Sequence, residues 1–412
     1  MTALHTHGAR VGVARLGAAL GIPRATASRW RRPAVHTVRP PRAASTRALP
    51  AATQAEALAY LHDARFCDAA PAQVHATLLD DGIYVCSVRT MYRLLDAESA
   101  VRERRALRTH AGVIDAGFRT IVRATGPDRT EFLQGMLTND VATLATGQGC
   151  GSLQLTIQGR VLADVRVAAD ATETLLDVDR RVRDAWVAAL EKLIIADDIE
   201  LADPVPPLAL LGIEGPAVTD LIPASNALAP YAWTMVELAG VRVRCVRASE
   251  LRGPGVVLHV PADAVVAVWE ALVGRGAVPC GMIALEARRL EVGVPRIGLD
   301  MDEHCLSLEV PVDDLVSFRK GCYLGQEVVA RGTARGHVNR KLVGLRCEAE
   351  AVSGTVLRRE GKDVGLLTSV VRVPGSGAAV AMGFVRREHW EVGTVLELVT
   401  GGRAVVAAWP LA

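Results

Sequence analysis

Residues 320–327 read Lys-Gly-Cys-Tyr-Leu-Gly-Gln-Glu, with Arg319 before them and Val-Val-Ala-Arg after them at 328–331. Glycine at 321 and 325 permits backbone angles and close approaches that a side chain forbids. The stretch 315–318 alternates like the end of a strand and 326–331 opens like a helix, so Cys322 is expected on the connecting turn. A thiol behind two cations and ahead of a helix N-terminus carries more thiolate than a free cysteine. That suits a reactive group, a transient metal ligand or a redox contact; the competing reading is a small apolar residue packed inside.

Outward from this octapeptide, further motifs follow one another in order. Ala-Gly-Val-Ile-Asp stands at 111–115, Glu-Phe-Leu-Gln-Gly-Met-Leu-Thr-Asn-Asp at 131–140 and Gly-Arg-Val-Leu-Ala-Asp at 159–164. Arg-Leu-Glu-Val-Gly-Val-Pro-Arg occupies 289–296, with Gly298 and Asp300 behind it, and a last segment lies at 365–369. Together these resemble YgfZ-type proteins, folate-binding relatives of the aminomethyltransferase (T-protein) of the glycine cleavage system that are linked to iron-sulfur cluster assembly and repair. The resemblance implies an α+β fold in which two interwoven lobes and a C-terminal β-barrel surround a channel for tetrahydrofolate or a related folate. It implies Cys322 as the working group with Lys320 beside it, and Gly321, Tyr323, Gly325, Gln326 and Glu327 as the rest of the motif. Asp140, Arg289 and Glu291 are implied at the folate site, and iron-sulfur proteins or their assembly machinery as partners.

Two departures from the T-protein pattern bear on catalysis. That enzyme depends on the first aspartate of a Gly-Gly-x-x-Asp-Asp run; here the matching position is Ala163, and a methyl group can neither accept a proton nor hold a cation. A glutamate that grips the pterin ring should precede 256–261, where this chain offers Glu250 out of register. An aminomethyltransferase-like one-carbon transferase is therefore the alternative rather than the leading expectation. Asp140 has a second reading as a cap for a following helix. Arg289 and Glu291, two apart, cannot share one helical face.

Length, at roughly 150 residues per domain, predicts two to three domains for 412 residues. Residues 1–110 hold 16 arginines, no lysine and eight acidic residues, a net of +8, whereas the remaining 31 basic and 37 acidic residues net −6. Within the basic part, 20–32 has helix-turn-helix grammar with arginines placed to meet phosphates, and 66–105 resembles the N-terminal part of an integrase-type insertion-sequence transposase. Ser87 is expected to cap a helix whose apolar stripe is Val88, Met91, Tyr92 and Leu95. The front segment, 1–104, is thus read as a mostly helical fragment capable at most of weak DNA binding. The lobes occupy 105–335 and the barrel 336–412.

Eight cysteines are scattered with no Cys-x-x-Cys pair, which argues against a structural zinc site or a tightly held metal and suits a reducing cytoplasm. No run approaches the ~18 apolar residues of a membrane helix. Expected strands in the lobes are 120–124, 153–157 and 161–167, and expected helices 128–137, 181–192, 262–273 and 283–291. Barrel strands are expected at 342–347, 364–371, 379–385 and 394–398.

Overall fold

A computed structural model describes residues 49–66, 69–334, 338–348 and 351–411; the helix-turn-helix-like stretch 20–32 lies outside them. The first helices are α1 (Ala51–Leu61), α2 (Pro71–Asp80) and α3 (Val88–Thr109), packed around Ala57, Phe66, Val74, Leu78, Met91 and Leu94. Ser87 caps α3 as expected, its hydroxyl oxygen accepting the Thr90 N–H. The buried stripe is nonetheless turned by one position. Met91 and Leu94 are inside, Val88 and Leu95 half-buried and Tyr92 exposed.

α3 runs unbroken through residue 104. Its last turn buries Ala106 and Leu107 against Ile114, Cys280, Ala284 and Leu285.

The lobes follow as β1 (Gly112–Asp115), β2 (Arg119–Thr125), α4 (Arg129–Met136), β3 (Gly149–Leu155), β4 (Val161–Ala169), β5 (Thr174–Asp179), α5 (Arg183–Glu191), β6 (Glu200–Ala202) and β7 (Leu208–Glu214). They continue through β8 (Trp233–Leu238), β9 (Val241–Val246), β10 (Gly255–Pro261), α6 (Val265–Gly274), β11 (Val278–Pro279), α7 (Met282–Val292) and α8 (Gln326–Ala334). The first lobe is the sheet β3-β4-β5-β2-β6, antiparallel throughout. The second is β11-β1-β7-β10-β9-β8. Because β1 joins the second sheet while β2–β6 build the first, the chain weaves between lobes as the resemblance implied.

Facing strands of the two sheets bury Ile121, Ala168 and Leu175 against Leu210, Val246 and Val257. Sheet alternation explains why these positions meet, since every second side chain of each strand points into the layer.

The last unit is a closed barrel of β12 (Arg340–Cys347), β13 (Val356–Arg359), β14 (Lys362–Arg372), β15 (Ala379–Arg386), β16 (Val395–Leu398) and β17 (Arg403–Ala407), in the order β12-β15-β14-β13-β16-β17. β13 and β17, absent from the expected strands, are only four and five residues long, too short to show a clear alternation.

Candidate functional site

The octapeptide lies on a turn between the 3₁₀ segment Asp313–Leu315 and α8. Cys322 is exposed; of the other described cysteines five are buried and Cys150 is half-buried. Beneath the turn Lys320, 9% exposed, donates to the carbonyls of Gln134 (2.5 Å), Leu137 (2.7 Å) and Asn139 (3.0 Å). These are orphan acceptors at and beyond the end of α4, so all three ammonium hydrogens serve to anchor the turn to the first lobe. Burial lowers the Lys320 pKa to about 8, opposed by the charge of Asp140, and it stays protonated at neutral pH. Its ammonium also lies 5.2 Å above the ring of buried Tyr323.

The turn is also held from the side. Gly325 has φ +83° and faces the Thr156 carbonyl, while a Cβ on Gly159 would stand 2.8 Å from Val328 Cβ. The 159–164 motif and the octapeptide therefore interlock at their glycines. Gly321 departs from expectation, since it has open space around it and no left-handed φ. Gln326 begins α8 by donating its N–H to the Tyr323 carbonyl, and Glu327 pairs with Arg331 on the exposed face.

Between the lobes lies a cavity of about 80 Å³, walled by Asp164, Arg166, Tyr231, Arg252, Val312 and Leu315. It adjoins a wider cleft of about 410 Å³ that shares Tyr231, Ser249, Arg252 and Asp314. Behind the wall, buried Arg119 bridges Asp164 (2.8 Å) and Asp177 (2.6 Å), and Arg166 reaches Asp177 (3.4 Å) and Glu250 (2.7 Å). Burial works to raise the Glu250 pKa, but Arg166 and Arg119 outweigh it and hold the group below the usual carboxylate range. Glu214, bonded to Ser249 Oγ and the Glu250 N–H, is pushed up to about 8 by burial and is protonated at neutral pH.

Alternation along β4 sends Ala163, wholly buried, into the core of the first lobe with Val165 and Val167. Asp164 and Arg166 face the cavity instead. Asp164 Oδ1 is buried without a hydrogen-bond partner among the described residues.

Arg289 and Glu291 are both 1% exposed and are positioned by α7 away from this cavity. Arg289 donates to Glu286 (2.6 Å), Asp300 (2.7 Å), the Val294 carbonyl (3.1 Å) and Ser369 Oγ (3.0 Å), tying α7 to the barrel strand β14. Glu291 turns the other way, to Arg104 of α3 (2.5 Å) and to Arg288. Both side chains are thus buried and paired within the protein, and neither lines the central cavity. Asp140 is half-buried and accepts from Gln134 Nε2 (3.1 Å); no helix follows it, which removes the capping reading.

Arg119, Arg166, Tyr231 and Arg252 escaped the sequence reading. A signal existed in Asp164-Val165-Arg166 with Asp177. Charged residues alternating with valine in strands otherwise apolar on both faces have to be paired inside. Among the described residues there is no cluster of three or more His, Cys, Asp or Glu suited to a metal, and no helix long and apolar enough to cross a membrane.

Comparison with known proteins matches residues 74–320 to the GCVT N-terminal domain and 340–409 to the glycine cleavage T-protein C-terminal barrel domain. An aminomethyltransferase of Saccharopolyspora erythraea is 30% identical over 318 residues, 74% of this chain and 86% of that protein. An aminomethyltransferase of Bordetella parapertussis is also 30% identical, over 343 residues, with 74% and 90% covered. The crystal structure of the glycine cleavage system aminomethyltransferase T from Bartonella henselae shares the fold with a TM-score of 0.68 at 24% identity, covering 76% of this chain and 89% of that one.

Proposed function

The chain belongs to the glycine cleavage T-protein family, with both its N-terminal domain and its C-terminal barrel, and from that premise we propose that it is a YgfZ-like, tetrahydrofolate-binding member that supports iron-sulfur cluster assembly or repair through Cys322. The observation that carries this reading is the exposure of Cys322 on a turn fixed from below by Lys320 and from the side by Gly325. A thiol that only filled space would be buried, as the cysteines at 86, 245, 280, 305 and 347 are. A rigid mount keeps the entropic cost of engaging a partner small.

The central cavity fits a folate in its chemistry. Asp164 Oδ1 is an unpartnered acceptor for pterin N–H groups, Tyr231, Val312 and Leu315 supply an apolar wall, and Arg247 and Arg252 line the wider cleft where an anionic tail would emerge. Buried carboxylate acceptors of this kind are worth roughly 1–3 kcal/mol when satisfied.

One-carbon transfer is the second reading, favoured by the carboxylate that β4 presents to the cavity at Asp164. Against it, Ala163 stands at the position of the T-protein's first aspartate and is buried in the core of the first lobe, while the Asp164 carboxylate is engaged by Arg119 at 2.8 Å. The purified chain is expected to bind tetrahydrofolate, measured by calorimetry, yet to release no ammonia from aminomethylated lipoyl carrier and tetrahydrofolate. Turnover at T-protein rates would establish the second reading, and absence of folate binding would remove both.

A further inference from the structure

Same-face residues along β2 run Arg119, Ile121, Arg123. The first belongs to the charged network behind the central cavity and the second to the apolar layer between the sheets. The third opens into another cavity, of about 180 Å³. Ile121, Leu175, Leu210 and Val257 therefore separate two polar ends of one interlobe layer. The second end is lined by Arg123, Arg242, Arg244 and His259, with an apolar wall that includes Leu175, Leu208, Met235 and Pro206.

The polar groups in this second cavity are not satisfied by the protein. Arg123 and Arg242 make no ion pair or side-chain hydrogen bond among the described residues, and Arg123 Nε and His259 Nδ1 are buried without partners. His259 is 4% exposed. Buried polar groups left unpaired cost free energy that a bound ligand recovers. Arg244 differs, because it is neutralised by Asp170 (2.8 Å) and Glu173 (3.6 Å) and stacked on Trp233. Three arginines against one acidic lining residue, Glu173, leave the cavity electropositive, and neutral His259 adds a hydrogen-bonding group.

We propose that this cavity is a second binding site, for a small organic anion whose charged head lies between Arg123, Arg242 and His259 and whose apolar body rests on Leu208, Met235 and Pro206. Arg123 belongs to one sheet and His259, Arg242 and Met235 to the other, so the ligand bridges the lobes and stabilises their register. The site shares no lining residue with the central cavity and is independent of the folate reading. Its head group is a carboxylate or a phosphomonoester, both of which a guanidinium pair grips in the same way.

The test uses the full chain with three probes, phenyl phosphate, benzoate and inorganic phosphate, followed by calorimetry and by the thermal midpoint. Phenyl phosphate or benzoate is expected to bind and to raise the midpoint, since a ligand of the folded state stabilises it; the stronger of the two identifies the head group. Arg123→Gln and Arg242→Gln should each weaken binding about tenfold, the size of one charge-assisted hydrogen bond, while Arg403→Gln on the barrel should leave it unchanged. Arg242 is exposed, so its substitution reports on binding even where Arg123→Gln disturbs packing. Absence of binding by both organic probes at millimolar concentration overturns the proposal. So does binding indifferent to both substitutions, or inorganic phosphate binding as tightly as phenyl phosphate.

Discussion

Gly325 stands so close to Thr156 that a Cβ on the glycine would lie 2.4 Å from the threonine carbonyl oxygen. This contact welds the cysteine turn to the β3–β4 hairpin and sets the direction in which Cys322 is presented. Gly325→Ala combines that clash with a left-handed φ and is expected to cost about 2 kcal/mol or more. Gly321→Ala, with nothing near it, should change stability by less than ~0.5 kcal/mol. Urea unfolding of the two variants checks the pair; equal effects would mean the contact does not hold the turn.

Arg289 ties α7 to the barrel through Asp300 and Ser369. Arg289→Ala strands Asp300, itself buried, and should destabilise by about 3–5 kcal/mol, the cost of orphaning one partner of a buried pair. Folate affinity of whatever fraction stays folded should be unchanged. A variant of normal stability with weakened folate binding would return Arg289 to the ligand site.

Two buried groups give stability opposite pH dependences. Glu214 keeps its proton to about pH 8 in the fold against an ordinary value of 4.5, so its contribution is complete below 4.5 and is lost as pH rises through 8. His259 is held down to about 3 by burial, with Arg244 and Arg166 adding, against an ordinary 6.5. Its contribution is therefore complete above 6.5 and is lost as pH falls through 3. Glu214→Gln should flatten the decline of stability between about pH 4.5 and 8 and leave the His259 contribution unaltered, as read by denaturant midpoints across pH.

The sequence was legible where local pattern and global fold agree. The turn at Cys322 and the helix after it, the Ser87 cap and the main strands of the first sheet and the barrel stand where the residues indicate, whereas the strand end expected at 315–318 is the edge of a 3₁₀ segment. The burial of Arg289 and Glu291 was not legible because charged side chains can be buried only with partners. Those partners, Asp300, Ser369 and Arg104, are distant in sequence. Ala163 and Asp164 show the same limit, since only strand register decides which of two adjacent residues faces a cavity. The continuity of α3 with the second lobe was invisible for another reason. The composition changes across residues 100–110 while the helix Val88–Thr109 does not.

The most direct measurement is rescue of iron-sulfur enzyme activity, in cells lacking their own YgfZ-like protein, by the chain carrying Cys322→Ser. Serine fits an exposed position, so the variant should fold with an unchanged unfolding midpoint. This folded variant should fail to rescue, while Cys305→Ser and Cys347→Ser rescue normally. Full rescue by Cys322→Ser at wild-type abundance would contradict the assignment of Cys322 as the working group.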